Sequence, residues 1–136
     1  MASDPTRPAD LLAAMPFANG LGIDLTEATA DHASGTLSWS SDLCTAGATL
    51  HGGVLMTLAD TVGAVCAYLN LPQGADTSTV ESRTNLFRPV RAGTVEAVVP
   101  ARARPRRLRR CARADSRATF TRTRLSPTEF RVPPGR

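Results

Sequence analysis

The sequence predicts an α+β protein in which a long central helix is wrapped by a curved sheet. The first observation is an apolar run at 53–70 with few polar residues, which predicts one helix of about five turns. Ala, Val, Leu and Met surround this helix almost completely, so it must be buried on most sides. The second observation is a set of short alternating segments, which predict the strands that wrap the helix in so small a domain.

The elements before the long helix are short. Residues 9–15 predict a helical stretch that stops at Pro16, and residues 17–22 have the composition of a turn. Two strands are predicted at 23–29 and 33–40, on either side of a turn, because apolar and polar residues alternate there.

A loop at 41–50 leads into two adjacent glycines at the start of the long helix. After the helix, strands are predicted at 78–87 and 94–99, joined by a turn at 88–93. From position 100 onward the sequence is rich in Arg and Pro, and its composition does not complete a core. Three interpretations stay open for this tail: it completes the sheet, it is highly diverged or disordered, or it is translated out of frame.

The charge is divided unevenly between two parts of the chain. Residues 1–98 contain four Arg and ten acidic residues, a net −6, whereas residues 99–136 contain twelve Arg and two acidic residues, a net +10. We therefore divide the chain into an N-terminal segment at 1–15, a domain core at 16–99 and an Arg-rich segment at 100–136. The Arg-rich segment could bind nucleic acid through its phosphates, but it has no interleaved aromatic residues for base stacking, so we do not expect this partner.

The cysteines and the apolar run indicate the compartment. Cys44, Cys66 and Cys111 do not have the spacing of metal ligands, so we expect reduced thiols and no metal site. The chain opens with no basic-then-apolar leader, and Asp60 interrupts the apolar run. A cytoplasmic protein without a membrane span is expected.

The glycine pair and a single carboxylate point to chemistry. Glycines that open a helix leave backbone N–H groups approachable, and such groups hold an anion or a developing oxyanion. Asp60 is costly to bury in an apolar helix unless it works or is paired. We therefore expect acyl-transfer chemistry, with the Gly52 N–H polarising a carbonyl and Asp60 acting as general base or nucleophile. At 1.5 Å per residue the two lie roughly 12 Å apart, so sharing one carbonyl requires two subunits.

Several motifs together carry a family resemblance. They are Pro16-Phe17 with Leu21-Gly22, Thr49-Leu50-His51-Gly52-Gly53, Leu58-Ala59-Asp60, Thr79-Val80-Glu81 and Asn85-Leu86-Phe87-Arg88-Pro89-Val90-Arg91-Ala92-Gly93. Over residues 16 to about 99 the chain resembles the hotdog-fold acyl-CoA thioesterases, especially the phenylacetate-pathway type. The resemblance implies a hotdog fold, with the long central helix wrapped by a curved antiparallel sheet. It also implies a homodimer or homotetramer and hydrolysis of the thioester of a small acyl- or aryl-acyl-CoA. No cofactor is implied, since coenzyme A is part of the substrate.

The resemblance also implies further catalytic residues. Thr79 occupies the position at which a Ser or Thr hydroxyl holds the attacking water. Thr45 stands where the family often has an Asn that positions the acyl carbonyl or the water, and a Thr hydroxyl donates one hydrogen bond with shorter reach. His51 either orients the loop or forms a hydrogen bond near the thioester, or it is a structural histidine satisfied by the backbone.

Substrate binding is assigned to one residue at the start of the long helix and to two arginines in the predicted turn at 88–93. Gly53 serves helix entry and close packing, and Arg88 and Arg91 could contact the phosphates of coenzyme A. One alternative is a hotdog protein that binds acyl-CoA without hydrolysing it, because Thr45 replaces Asn or because the last strands do not form. The other is a nucleic-acid-binding protein that uses the Arg-rich tail. The acyl group and the choice between dimer and tetramer stay open.

Overall fold

The structure is a computed structural model that describes residues 7–73, 78, 79, 84, 86 and 88–99, and the backbone of 129–131. The helices are α1 Pro8–Ala13, α2 Pro16–Gly20 and α3 Gly52–Tyr68, with one 3₁₀ turn at Ser41–Leu43. The strands are β1 Asp24–Ala28, β2 Ala33–Ser38, β3 Thr94–Val99 and β4 Glu129–Arg131. The predicted α+β class with one long helix is confirmed over these residues.

The strands form one antiparallel sheet in the order β1-β2-β3-β4. Strands β2 and β3 pair along their whole length, from Ala33 opposite Val99 to Ser38 opposite Thr94. Helix α3 packs against β1, β2 and β3. The largest fully buried side chains come from both layers: Leu37, Leu58, Val62 and Val95. The core therefore lies between the long helix and the sheet, as the sequence predicts.

Helix α3 begins one residue earlier and ends two residues earlier than predicted. Its buried residues are Leu55, Leu58, Ala59, Thr61, Val62, Gly63 and Val65. The helix also has an exposed side, since Met56 is 40% and Tyr68 is 48% exposed. Asp60 is half-buried, between the buried neighbours Ala59 and Thr61. A single chain thus covers most of the helix and leaves one apolar side in contact with solvent.

Pro16 differs from its prediction. Helix α1 ends at Ala13, before Pro16 as predicted. However, Pro16 also begins α2, which extends across residues that were predicted to be a turn. The reason is that proline fits the first turn of a helix, where its missing N–H has no intrahelical partner and its fixed φ is already helical. Pro8 opens α1 in the same way. The turn follows α2 instead, at Gly22, whose φ of 78° needs a glycine.

The remaining strand predictions have different outcomes. Strands β1 and β2 are confirmed and are slightly shorter than predicted, and β3 has the predicted bounds. The strand predicted at 78–87 lies largely outside the described residues, which include positions 78, 79, 84 and 86 there. The Arg-rich tail also lies outside them, except for Glu129–Arg131, whose backbone pairs with β3 at Glu96 to Val98.

Gly35 is expected to be essential for the contact between β2 and α3. A methyl group at this position would lie 2.9 Å from Val62 Cγ2 and 3.0 Å from the backbone oxygen of Asp24. The backbone oxygen cannot rotate away, so Gly35→Ala should push the strand off the helix and lower the free energy of unfolding by about 1–3 kcal/mol. Urea unfolding followed by circular dichroism measures this change.

Gly20→Ala is the matched control for this prediction. Gly20 lies at the end of α2, and a methyl group there has no heavy atom within 4 Å. Its free energy of unfolding should stay the same or rise slightly, because alanine favours the helical conformation. Equal stability of the Gly35→Ala and Gly20→Ala variants would contradict the close-packing interpretation.

Candidate active site

His51 caps the N-terminus of α3. It has extended backbone angles, φ −64° and ψ 134°, and its Nδ1 accepts a hydrogen bond of 2.9 Å from the Gly53 N–H. A methyl group at Gly53 would lie 3.0 Å from that same Nδ1, so a glycine suits this position sterically. Of the two roles open to His51, the structure describes the structural one, a capping side chain, and this cap leaves its Nε2 without a described partner.

The first amides of α3 are not equally occupied. Gly53 donates to the His51 side chain, while Val54 and Leu55 donate to the His51 carbonyl at 2.9 and 3.3 Å. The Gly52 N–H has no acceptor among the described residues. This group lies at the positive end of a 17-residue helix, where a free N–H favours an oxygen that carries negative charge.

Leu86 lies beside Gly52. A methyl group at Gly52 would come within 2.8 Å of Leu86 Cδ1, and Leu86 is 50% exposed. The glycine therefore lets an apolar side chain from the segment after the helix approach the open amide. The sequence analysis did not single out Leu86, because its contact with Gly52 joins residues far apart in the chain.

Asp60 and Thr79 are brought together on another part of α3. The Thr79 hydroxyl donates a 2.8 Å hydrogen bond to Asp60 Oδ1. Thr79 is exposed and Asp60 is half-buried, so the carboxylate retains access to solvent. Both residues were expected to take part in handling the attacking water, and their contact is consistent with that expectation without testing it.

The predicted site residues thus form two groups in one chain. Thr45, His51 and Gly52 are at the N-terminal end of α3, and Asp60 with Thr79 lies eight residues further along the helix, roughly 12 Å away. Thr45 belongs to the loop that enters the helix, where its N–H donates to the Thr49 carbonyl at 2.7 Å, and it is exposed.

The two arginines have different surroundings. Arg91 Nη1 donates a 2.9 Å hydrogen bond to the Gly47 carbonyl, whereas Arg88 is exposed and has no described partner. The segment that carries Arg91 also touches the helix entry, since Val90 accepts a 2.9 Å hydrogen bond from the Leu50 N–H. The sequence analysis expected both arginines on the substrate and missed the contact between Arg91 and the loop.

Other chemistry has little support among the described residues. Burial, together with the charge of Asp31, raises the pKa of the Cys66 thiol, so this cysteine stays protonated and is a poor nucleophile. Cys66 packs against the core, as expected of a filler residue, and Cys111 lies outside the described residues. The described side chains include no cluster of three or more potential metal ligands. No helix among the described residues is long and apolar enough to cross a membrane.

Comparisons with known proteins identify the family of this chain. Residues 47–110 match the sequence model of the thioesterase superfamily, a segment that includes the glycine pair and Asp60. No curated protein matches the chain significantly. Among solved structures, a thioesterase from Haemophilus influenzae is 27% identical with a TM-score of 0.62, and the match covers 71% of this chain and 68% of that one.

Two further similar structures are those of proteins associated with the degradation of phenylacetic acid. One is the protein PaaI of Thermus thermophilus, solved as a point mutant, which is 30% identical with a TM-score of 0.53 over 61% of this chain and 70% of that one. The other is PaaI of E. coli, 27% identical with a TM-score of 0.55 over 67% and 69%. The chain thus spans about two thirds of the length of the structures it matches. Over this matching segment, the chain belongs to the thioesterase superfamily, as a hotdog-fold protein of the phenylacetate-pathway type.

Proposed function

We propose that this protein hydrolyses the thioester of a small acyl- or aryl-acyl-CoA at sites shared between two subunits. The observation that carries the proposal is the separation of an open Gly52 N–H from the Asp60–Thr79 pair along one helix. Membership of the thioesterase superfamily and the thioesterase from Haemophilus influenzae support the reaction class.

The Gly52 N–H is proposed to hold the thioester oxygen. Among the described residues this amide has no acceptor, and its position at the helix start already orients it, so it needs no rearrangement when the oxygen gains negative charge. The helix dipole adds positive potential at the same place. His51 keeps the Gly53 N–H occupied and thus fixes the start of the helix, so that the neighbouring amide stays open.

Asp60 is proposed to supply the nucleophile. As a general base, the carboxylate takes a proton from water while the water oxygen bonds to the carbonyl carbon and the C=O electron pair moves to oxygen. As that pair returns, the C–S bond breaks and the thiolate of coenzyme A receives the proton from Asp60, which leaves a free acid and a free thiol. As a nucleophile, Asp60 instead attacks the carbonyl carbon, and the C–S bond breaks to give an anhydride and the thiolate of coenzyme A. Water then hydrolyses the anhydride to the free acid and the Asp60 carboxylate, and the thiolate takes up the proton that this hydrolysis releases.

The roughly 12 Å between Gly52 and Asp60 requires that the two act on one carbonyl from different subunits. The exposed side of α3, with Met56 and Tyr68, offers apolar surface that a second copy would cover. In a two-fold dimer each chain then supplies Gly52 to one site and Asp60 to the other, so every dimer has two composite sites.

The remaining assignments follow from the chemistry of coenzyme A. Arg88 is free of described partners and is the proposed contact for its phosphates. Thr45 is the proposed contact for the acyl carbonyl or the water, from the exposed loop before the helix. The reaction as written needs no cofactor, and the cytoplasm is the proposed location.

The experiment that tests this function is thiol release from a small panel of acetyl-, hexanoyl- and phenylacetyl-CoA. Release at a rate proportional to enzyme concentration is expected for at least one substrate. Because the protein has three cysteines, each assay needs an enzyme-only blank for its own thiols.

Two other results would reject hydrolysis. If no thiol is released while a non-hydrolysable acyl-CoA thioether still binds in calorimetry, the protein is a binding module. If neither release nor binding occurs and labelled nucleic acid binds instead, with a salt dependence that disappears when residues 100–136 are deleted, the tail carries the function.

A further inference from the structure

The loop that precedes α3 accepts hydrogen bonds from side chains elsewhere in the chain. We call residues 44–50 the entry loop. Its ends meet in a bridge between Cys44 and Leu50, and the Thr45 N–H donates to the Thr49 carbonyl at 2.7 Å. The loop continues directly into His51 and Gly52. Any displacement of the loop is therefore passed to the start of α3.

The tip of the entry loop is strained. Ala48 has a φ of 54°, in the left-handed region that residues with a side chain rarely adopt. Strain of this kind persists when neighbouring groups fix the backbone. Here two successive carbonyls at the tip are fixed: Gly47 accepts from Arg91 Nη1 at 2.9 Å, and Ala48 accepts from the Trp39 ring N–H at 3.3 Å.

The two residues whose side chains hold the tip lie next to the sheet: Trp39 directly follows β2, and Arg91 precedes β3. The Trp39 backbone N–H donates to the Gly93 carbonyl at 2.7 Å, and its ring packs against the core. Arg91 follows Val90, which is buried and accepts a 2.9 Å hydrogen bond from the Leu50 N–H. The segment at 90–93 therefore forms hydrogen bonds to the loop both near its tip and at its end.

From these contacts we infer that Arg91 is a positioning residue that holds the entry loop, and through it the Gly52 N–H, in the geometry that hydrolysis requires. The inference rests on the proposed function and replaces the expectation that Arg91 binds the phosphates of coenzyme A. A guanidinium that turned towards a phosphate would give up the Gly47 carbonyl and release the strained tip. Arg88, without a described partner, has no such task.

Two substrates separate positioning from phosphate binding. One is the best acyl-CoA, and the other is the same acyl group on N-acetylcysteamine, which has no phosphates. Arg91→Ala should lower kcat by up to about a hundredfold on both substrates, because a displaced site loses rate whatever the leaving thiol carries. Arg91→Lys should recover part of the loss, since an ammonium can donate to the single Gly47 carbonyl.

Arg88→Ala is the contrasting variant, and it removes the same charge from the same turn. It should raise KM for the acyl-CoA and change neither kcat nor KM for the N-acetylcysteamine ester. If Arg91→Ala instead shows this same pattern, with a raised KM for the acyl-CoA alone, Arg91 binds phosphate and the inference is overturned. An unchanged kcat on both substrates overturns it as well.

Amide hydrogen exchange tests the loop itself, independently of activity. The Leu50 and His51 amides, which donate to Val90 and Leu43 at 2.9 Å, should exchange faster in Arg91→Ala than in the wild type and in Arg88→Ala. Unchanged exchange rates of these two amides would contradict the inference that Arg91 holds the entry loop. If the wild type hydrolyses neither substrate, the proposed function fails, while the exchange comparison still decides whether Arg91 holds the entry loop.

Discussion

Replacement of Asp60 by Asn is expected to leave the fold intact and to lower kcat at least about a hundredfold, the scale of a lost general base or nucleophile. The Thr79 hydroxyl donates to Asp60 Oδ1 at 2.8 Å, and the carbonyl oxygen of an Asn side chain can accept the same bond. Asp60 is half-buried, so the new amide group can reach water. The substitution therefore removes the negative charge and the basicity while keeping the contact with Thr79.

The measurement is thiol release under saturating substrate, with the circular dichroism spectrum and the midpoint of thermal unfolding as controls for the fold. Mass spectrometry of the variant excludes deamidation, which would restore the original carboxylate. Unchanged turnover in a folded variant would remove Asp60 from the mechanism. For the wild type, label in Asp60 after a single turnover in ¹⁸O-labelled water would demonstrate covalent attack by the carboxylate, because a water oxygen enters Asp60 only through an anhydride.

Replacement of Gly52 by Pro is expected to lower kcat by about a hundredfold to a thousandfold, the usual effect of removing one oxyanion donor. Proline lacks the N–H and is well tolerated at the first position of a helix. His51 already has a ψ of 134°, which suits the residue before a proline. The substitution thus deletes the proposed donor at a place where the backbone can accept it.

Gly52→Ala is the matched control, because it keeps the N–H and introduces the same crowding against Leu86 Cδ1. Leu86 is 50% exposed, so its side chain can turn away and the alanine variant should fold. The alanine variant should therefore retain much more activity than the proline variant. Equal losses would mean that crowding beside Leu86, and not the N–H, limits the reaction.

A mixture of the Asp60→Asn and Gly52→Pro subunits tests the shared site directly. In a hybrid dimer one composite site combines both substitutions and the other is intact, so about half of its sites should work. Activity should thus rise when the two inactive variants are refolded together. If activity does not rise although hybrids form, both residues act from one chain or one of them does not act on the substrate.

Much of the fold could be predicted because its determinants are local. The apolar run that forms α3, the alternation in β2 and β3 and the turn residues between strands are each visible within a few adjacent positions. Pro16 shows the limit of local signals, because the same residue ends one helix and begins the next. Whether a new helix begins at a proline depends on how the following residues pack, and here Ala18 of α2 is buried in the core.

The sequence by itself determined the candidate chemistry: a glycine pair at a helix start, one carboxylate eight residues later, and a spacing that separates the two. Only the tertiary structure decided which partners these groups have. It pairs Asp60 with Thr79, makes His51 the acceptor for the Gly53 amide and directs Arg91 to the Gly47 carbonyl. The Gly52 N–H has no acceptor in the part of the chain that the structure describes. The physical reason is that a helix fixes distances along itself, whereas contacts such as that between Arg91 and Gly47 depend on how segments far apart in the chain pack together.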